Sequence, residues 1–286
     1  MRKSILSILI LAGYMIALPA QAQLLKKIQN AAAQGAENAA TKKTRESSEK
    51  ATNDAIDGMF GGLMEQAPTE TDYSFTGYMV MEVTSTDKKG KAEDPVKIQY
   101  LLSSNTEFMG MAFADPKQSE TTTTTIMDTK NQAMVILLED KGEKSSMAMK
   151  LDYDKMQGMV DEEAEKQLEQ PDYKITKTGN SKTILGYSCE EYLVTTEDGE
   201  GRYWVTEEPI AGVSMFSPQS NPMVSSKTIE RYSSMFSNAP KGTFMEMIFT
   251  DKEGAVTDMK VIELETDSPK KFQMSDYPNM MAGANK

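Results

Sequence analysis

From Tyr73 onward the apolar positions recur every second residue, the period of a half-buried β-strand. Tyr73, Phe75, Met79, Met81 and Val83 share one parity and Ser74, Thr76 and Glu82 the other, with Tyr78 and Val80 interrupting the pattern. Val96, Ile98, Tyr100 and Leu102 alternate with Lys97, Gln99 and Leu101, and Met109, Met111 and Phe113 continue the pattern, as do Met147, Met149 and Leu151. Met134-Val-Ile-Leu-Leu138 is apolar on both parities, which predicts a strand covered on both faces. Asp87-Lys-Lys-Gly90, Asp140-Lys-Gly142 and Asp251-Lys-Glu-Gly254 separate such runs. An aspartate that opens a turn and a glycine free to take positive φ make each a hairpin signal. Together these predict an antiparallel meander of about ten or eleven strands.

Two segments depart from the period of two. Asp154 to Gln170 carries Met156, Met159, Val160, Ala164 and Leu168 at helical spacing and ends at Pro171; Lys227 to Phe236 repeats the pattern with Ile229, Tyr232, Met235 and Phe236. So many strands tend to curl rather than lie flat. The expected fold class is therefore α+β: a mainly antiparallel curved sheet or incomplete β-barrel with these helices as a lid. Residues 23–66 precede it as a charged helical leader, thin in apolar stripe, with Leu25, Ile28, Ala32, Ala36 and Ala39 at its start and Met59 and Phe60 near its end. Such a leader could dock on the main domain, pair with an envelope protein partner, or lie on a membrane surface; the alternative is a mobile leader that does none of these. The expected main domain is residues 67–286.

Composition narrows the chemistry. The 286 residues contain no histidine and one cysteine, with 31 basic against 43 acidic side chains. Histidine-based acid–base catalysis, Ser-His-Asp and Cys-His nucleophilic sites, imidazole metal ligands and an internal disulfide are excluded. The net charge of -12 argues against nucleic-acid binding, which displaces counterions with a basic surface. The start of the chain reads as an export signal. Arg2-Lys3 precedes a 14-residue apolar run, Ile5 to Leu18, and then Pro19-Ala20-Gln21-Ala22 supplies a small-x-small cleavage site. The run is short for a membrane span of about 20 residues. Residues 1–22 are thus expected to be a signal peptide, leaving a periplasmic or secreted protein that begins at Gln23 and has no membrane span. Cys189 is expected to be a buried small apolar group.

Methionine is the anomaly, at 23 residues. Met79/Met81, Met109/Met111, Met147/Met149 and Met245/Met247 are all i,i+2 pairs, which on strands point to one face. Three readings fit. Methionine can simply stand for Leu and Ile in an ordinary core. It can line an adaptable apolar cavity, since flexible thioethers repack around varied ligands. Or the thioethers can hold a soft ion such as Cu(I), although such ligands usually cluster with His or Cys. The candidate ligand-binding residues are those eight methionines with Phe113 and Trp204, the single tryptophan. No catalytic residue, metal ligand or cofactor is assigned. The acidic pairs Glu190-Glu191 and Glu207-Glu208 read as solvated charge, and Thr121 to Thr125 as cover for an exposed strand.

The stretch Ile175-Thr-Lys-Thr-Gly179, Lys182-Thr-Ile-Leu-Gly-Tyr-Ser-Cys-Glu-Glu-Tyr-Leu-Val194 and Gly201-Arg-Tyr-Trp-Val-Thr-Glu207 resembles a family of exported proteins of Gram-negative bacteria. That family carries a domain of unknown function. The I-x-G-Y-x-C-x-x-Y…Y-W-V pattern is also similar to the LolA/LolB-type lipoprotein carriers, whose incomplete barrel, closed by helices, holds acyl chains. The resemblance implies a non-enzymatic carrier of an apolar small molecule or acyl chain. Burying a chain yields roughly 0.8 kcal/mol per CH₂. The competing expectation is an interaction protein of the cell envelope whose interior is plain core. An apolar void favours the first and a filled interior the second.

Overall fold

The computed structural model describes residues 65–105, 107–115, 118–151, 174–196, 199–212 and 241–280. The signal segment at 1–22, all but the last two residues of the leader at 23–66, and the two segments read as lid helices lie outside these residues.

Among the described residues thirteen strands run in order: β1 Asp72–Phe75, β2 Gly77–Thr86, β3 Val96–Leu102, β4 Phe108–Asp115, β5 Gln118–Asp128, β6 Ala133–Asp140, β7 Glu143–Lys150, β8 Lys174–Ile184, β9 Tyr187–Thr196, β10 Gly199–Thr206, β11 Thr243–Asp251, β12 Val256–Glu265 and β13 Lys270–Gln273. Eleven of them form one antiparallel sheet in the order β7-β6-β5-β4-β3-β2-β12-β11-β10-β9-β8, and β1 pairs with β13 in a separate ribbon. Every neighbour in the large sheet is also a neighbour in sequence, except where β12 returns beside β2. It is two meanders joined at that seam.

The turns follow from the sequence. Asp140↔Glu143 and Ile184↔Tyr187 close two-residue hairpins. Lys141 and Gly142 take φ of 50° and 86°, and Leu185 and Gly186 take 50° and 88°, the left-handed pair that matches strand twist. Asp251 holds the longer β11–β12 turn, its carboxylate accepting from the Glu253 and Ala255 N–H groups at 2.8 Å.

The α+β half-barrel expectation is corrected on two points. The described residues contain no α-helix, only a 3-10 turn at Met274–Asp276, and are all-β. The sheet also stays open, because β7 and β8 do not pair with each other. A physical reason is visible at β7, whose free side is already taken. Ala67 N–H donates to Ala148 O, Lys150 N–H to Glu65 O and Ser146 N–H to Pro278 O.

The cover over one face is likewise a ribbon of strand. Tyr73 and Phe75 do not extend β2, as their shared parity with Met79 suggests. The chain crosses at Gly77, where a Cβ would stand 2.0 Å from Glu265 O, and β1 leaves the large sheet. Tyr73, Phe75 and Phe272 then pack with Leu101, Phe108, Ile126, Val135, Leu137 and Ala148. Phe75 lies edge-on to Phe108 at 5.4 Å and to Phe272 at 6.0 Å. Gly110 makes room for it, since a Cβ there would meet the Phe75 ring at 2.7 Å. Tyr73 donates to the buried Asp128 at 2.7 Å, and Asn131 donates to the same carboxylate from its backbone and side chain. As expected of β6, Val135 and Leu137 face this ribbon while Ile136 is buried on the other side.

Candidate functional site: the methionine face

Residues directly opposite in a ladder share a face, so the strand registers locate the methionines. One rung runs Met109↔Met127↔Met134↔Met149 across β4 to β7. The next runs Met79↔Tyr100↔Met111↔Thr125↔Ile136↔Met147 across β2 to β7. On the other meander Tyr203↔Met247↔Met259↔Val83 forms a third. Three of the four i,i+2 pairs thus lie on one face of one sheet. Met245 joins Met247 by a different route: the β10–β11 register shifts between Trp204 and Val205, and Met245 enters the same apolar cluster at that bulge.

Sequence reasoning missed Met127, Met134 and Met259. Met127 and Met134 are equidistant from the β5–β6 turn, so the hairpin itself pairs them. That symmetry is a readable signal, unlike the registers between the two meanders.

The centre of this face is solid. Met79, Met81, Met245 and Val261 are 0% exposed, and Met247 and Met259 are 1% exposed. A residue with no surface open to a water-sized sphere borders no void able to hold one, so these six residues pack directly against their neighbours. Met147 and Met149 are also buried, whereas Met109 and Met134 are half-buried. Phe113 stands opposite Thr123 in the ladder, and its side chain lies outside the described residues. Thr123 to Thr125 are buried in an interior strand rather than covering an exposed one, a correction. The Thr123 and Thr125 hydroxyls have no hydrogen-bond partner.

Trp204 pairs with Glu191 and Glu246, not with the methionines, so its ring is on the opposite side of the sheet from Met247 and meets the apolar cluster only at its margin. There it belongs to a charged patch. Lys182 Nζ stands 4.1 Å over the Trp204 ring and 2.6 Å from Glu246 Oε1, and Lys260 Nζ is 3.6 Å from Glu246 Oε2. Glu191 accepts from Thr178 and Asn180 at 2.7 Å and from Arg202 at 3.2 Å. The Thr178 hydrogen bond, with those of Asn180 and Arg202, holds the Glu191 carboxyl below the usual range despite burial. Asp258 is pushed the other way, by burial and then by the Glu246 charge. Burial also raises the Cys189 thiol, fitting an inert packed residue.

A separate open cleft of about 460 Å³ is lined by Glu70, Asp72, Ser74, Ser103, Asn105 and Glu107 among others. Phe75 and Phe108 also line it, and none of the paired methionines does, so it is not the concavity expected from those pairs. Among the described residues no group of three or more Asp, Glu, Cys or His is placed to hold a metal, and no helix is long and apolar enough to cross a membrane.

A family model described as a domain of unknown function, DUF4412, matches residues 75–277. The chain belongs to this family. The match spans both meanders and β13 of the ribbon, including the Ile-Leu-Gly-Tyr turn. No curated protein matches in sequence. Among solved structures, PNGF-II is 10% identical with a TM-score of 0.26, covering 71% of this chain and 31% of its own, so this chain spans about a third of that protein. A β-barrel-like protein of domain of unknown function DUF1849 from Brucella abortus is 7% identical, covers 67% of this chain and 98% of its own, and has a TM-score of 0.24. A DUF1329 family protein from Desulfovibrio piger is 9% identical, covers 69% and 86%, and has a TM-score of 0.17. All three scores are below 0.5, too low to transfer any property from those proteins to this chain. The likeness to LolA/LolB-type carriers finds no support in these matches.

Proposed function

We propose that this is an exported, non-enzymatic binding protein of the cell envelope that works through its surface, with the methionine face as its core. The observation that carries the reading is the complete burial of Met79, Met81, Met245 and Val261. A filled interior is what an interaction protein needs and what an acyl-chain carrier lacks. The export signal at Ala20-Gln21-Ala22 supports the location.

The surface offered for interaction is the β8–β11 side, where Trp204 and Lys182 form a half-exposed aromatic and cationic patch on rigid strands. At the tip of the same β8–β9 hairpin Leu185 is 46% exposed. An aromatic anchor with a polar rim suits protein recognition.

Site-specific photo-crosslinking in the native host tests this. A crosslinker at position 204 or 185 should give a discrete adduct, and one at position 79 none. Absence of adducts at both surface positions, or saturable binding of a fluorescent fatty acid by the purified protein, would return the carrier reading to first place.

A further inference from the structure

The rung Met109↔Met127↔Met134↔Met149 places four methionines on four successive strands with no other residue between them. Cross-strand neighbours stand about 4.5–5.5 Å apart at Cβ. The methionine side chain is long, unbranched and flexible, with a polarizable sulfur, so three adjacent members of the rung can bring their thioethers onto one ion. The rung sits at the strand ends, one residue in from the start of β4 and β6 and from the end of β7. Met127 and Met149 are buried there while Met109 and Met134 keep a path to solvent.

A second observation lies on the same face. The hydroxyls of Thr125, in the next rung, and Thr123, two residues further, are buried and unpartnered. Buried polar atoms normally find a partner. The Thr125 oxygen, one rung from the thioether row, marks a place that a small guest, with or without water, completes, while Thr123 lies about 13 Å along β5 from Met127.

We propose that this rung is a binding site for a soft monovalent cation of the Cu(I) or Ag(I) class, independent of the surface interaction described above. The ligand set selects the ion. Thioethers without imidazole or carboxylate favour soft ions and leave Zn(II), Mg(II) and Ca(II) unbound. Unlike thiols, thioethers also carry no proton to lose and do not close into a disulfide, which suits a site outside the cytoplasm.

The test is titration of the purified full chain with Ag(I) in chloride-free buffer, read by native mass spectrometry and by the methionine methyl resonances. One tightly held Ag(I) per chain is expected, with shifts confined to the rung methyl groups. Met109→Leu with Met134→Leu, a near-isosteric pair of swaps that cores tolerate, should weaken binding at least tenfold in a protein that still unfolds cooperatively. Met79→Leu with Met81→Leu, in the solid centre, should leave binding unchanged. The proposal is overturned by the absence of stoichiometric Ag(I), by undiminished binding in the rung variant, or by equal loss in both variants. It is also overturned if a fluorescent fatty acid, rather than Ag(I), perturbs those methyl groups.

Discussion

On one side of β3 to β7 the sheet is covered by Tyr73, Phe75, Phe108, Phe272 and Tyr277 in edge-on contacts, while on the other side the same strands carry rungs of methionine. The aromatic side is a ribbon fixed by ring geometry and anchored by the Tyr73–Asp128 hydrogen bond. The methionines of the other side differ from Leu mainly in flexibility and in having a sulfur. Two faces of one sheet are therefore held to different standards. One depends on shape, the other on volume.

The sharpest way to break that comparison is to truncate a buried ring on the shape-dependent face and to swap an equally buried methionine for a near-isostere on the other. Phe75→Ala removes the ring wedged over Gly110 and should cost about 3–5 kcal/mol in urea unfolding. Met79→Leu, at 0% exposure against 2% for Phe75, should cost less than about 1.5 kcal/mol. Comparable losses in the two variants would mean that the methionine face is as shape-specific as the aromatic one. Next in size is Tyr73→Phe, which keeps the ring and removes one donor to the buried Asp128 carboxylate. With the Asn131 backbone and side-chain donors still in place, the expected loss is about 1–3 kcal/mol.

The two faces were also unequally legible. Strand period and the Asp–Gly turns were plain because both are local, and so were the i,i+2 methionine pairs. The ribbon was hidden because Tyr73 and Phe75 share parity with Met79, and only the steric requirement at Gly77 separates them. Met245 joins Met247 in the cluster, as the i,i+2 spacing expects, but through a bulge rather than a regular ladder. Trp204 is one residue from Tyr203, and only register puts its ring beside Glu246 rather than Met247. The filled centre could not be read at all, because whether apolar residues enclose a void depends on how strands from two distant meanders pack.

Acid titration extends the comparison to the charged patch. Glu191 has a carboxyl pKa lowered from its ordinary 4.5, mainly by the Thr178 hydrogen bond. Its contribution to stability is therefore present above that value and is lost as pH falls through the depressed folded pKa. Asp258 has a pKa raised from 3.8 by burial. It opposes folding once pH rises above the unfolded value, fully so above the raised folded one. Glu191→Gln should flatten the acid limb of the stability profile, and Asp258→Asn should raise stability at neutral pH. Thermal melts between pH 3 and 7 check both signs. The same direction of change in the two variants would show that one field, rather than separate local partners, governs the patch.

The smallest expected effect comes from the two tight hairpin turns. Lys141 and Leu185 occupy equivalent positions, each at φ 50° before a glycine at 86° or 88°. A left-handed backbone costs a non-glycine residue roughly 1–2 kcal/mol, and asparagine relieves part of it. Lys141 at least keeps its charge in water. Leu185 combines the backbone cost with a side chain 46% exposed, which nothing in the fold repays. Leu185→Asn should therefore stabilise the protein by about 0.5–1 kcal/mol, and Lys141→Asn by no more. If Leu185 serves the proposed interaction surface, Leu185→Asn should at the same time weaken the adduct formed through position 204, an effect Lys141→Asn should lack. A stabilised Leu185→Asn variant with an undiminished adduct would remove the hairpin tip from that surface and leave Trp204 and Lys182 to define it.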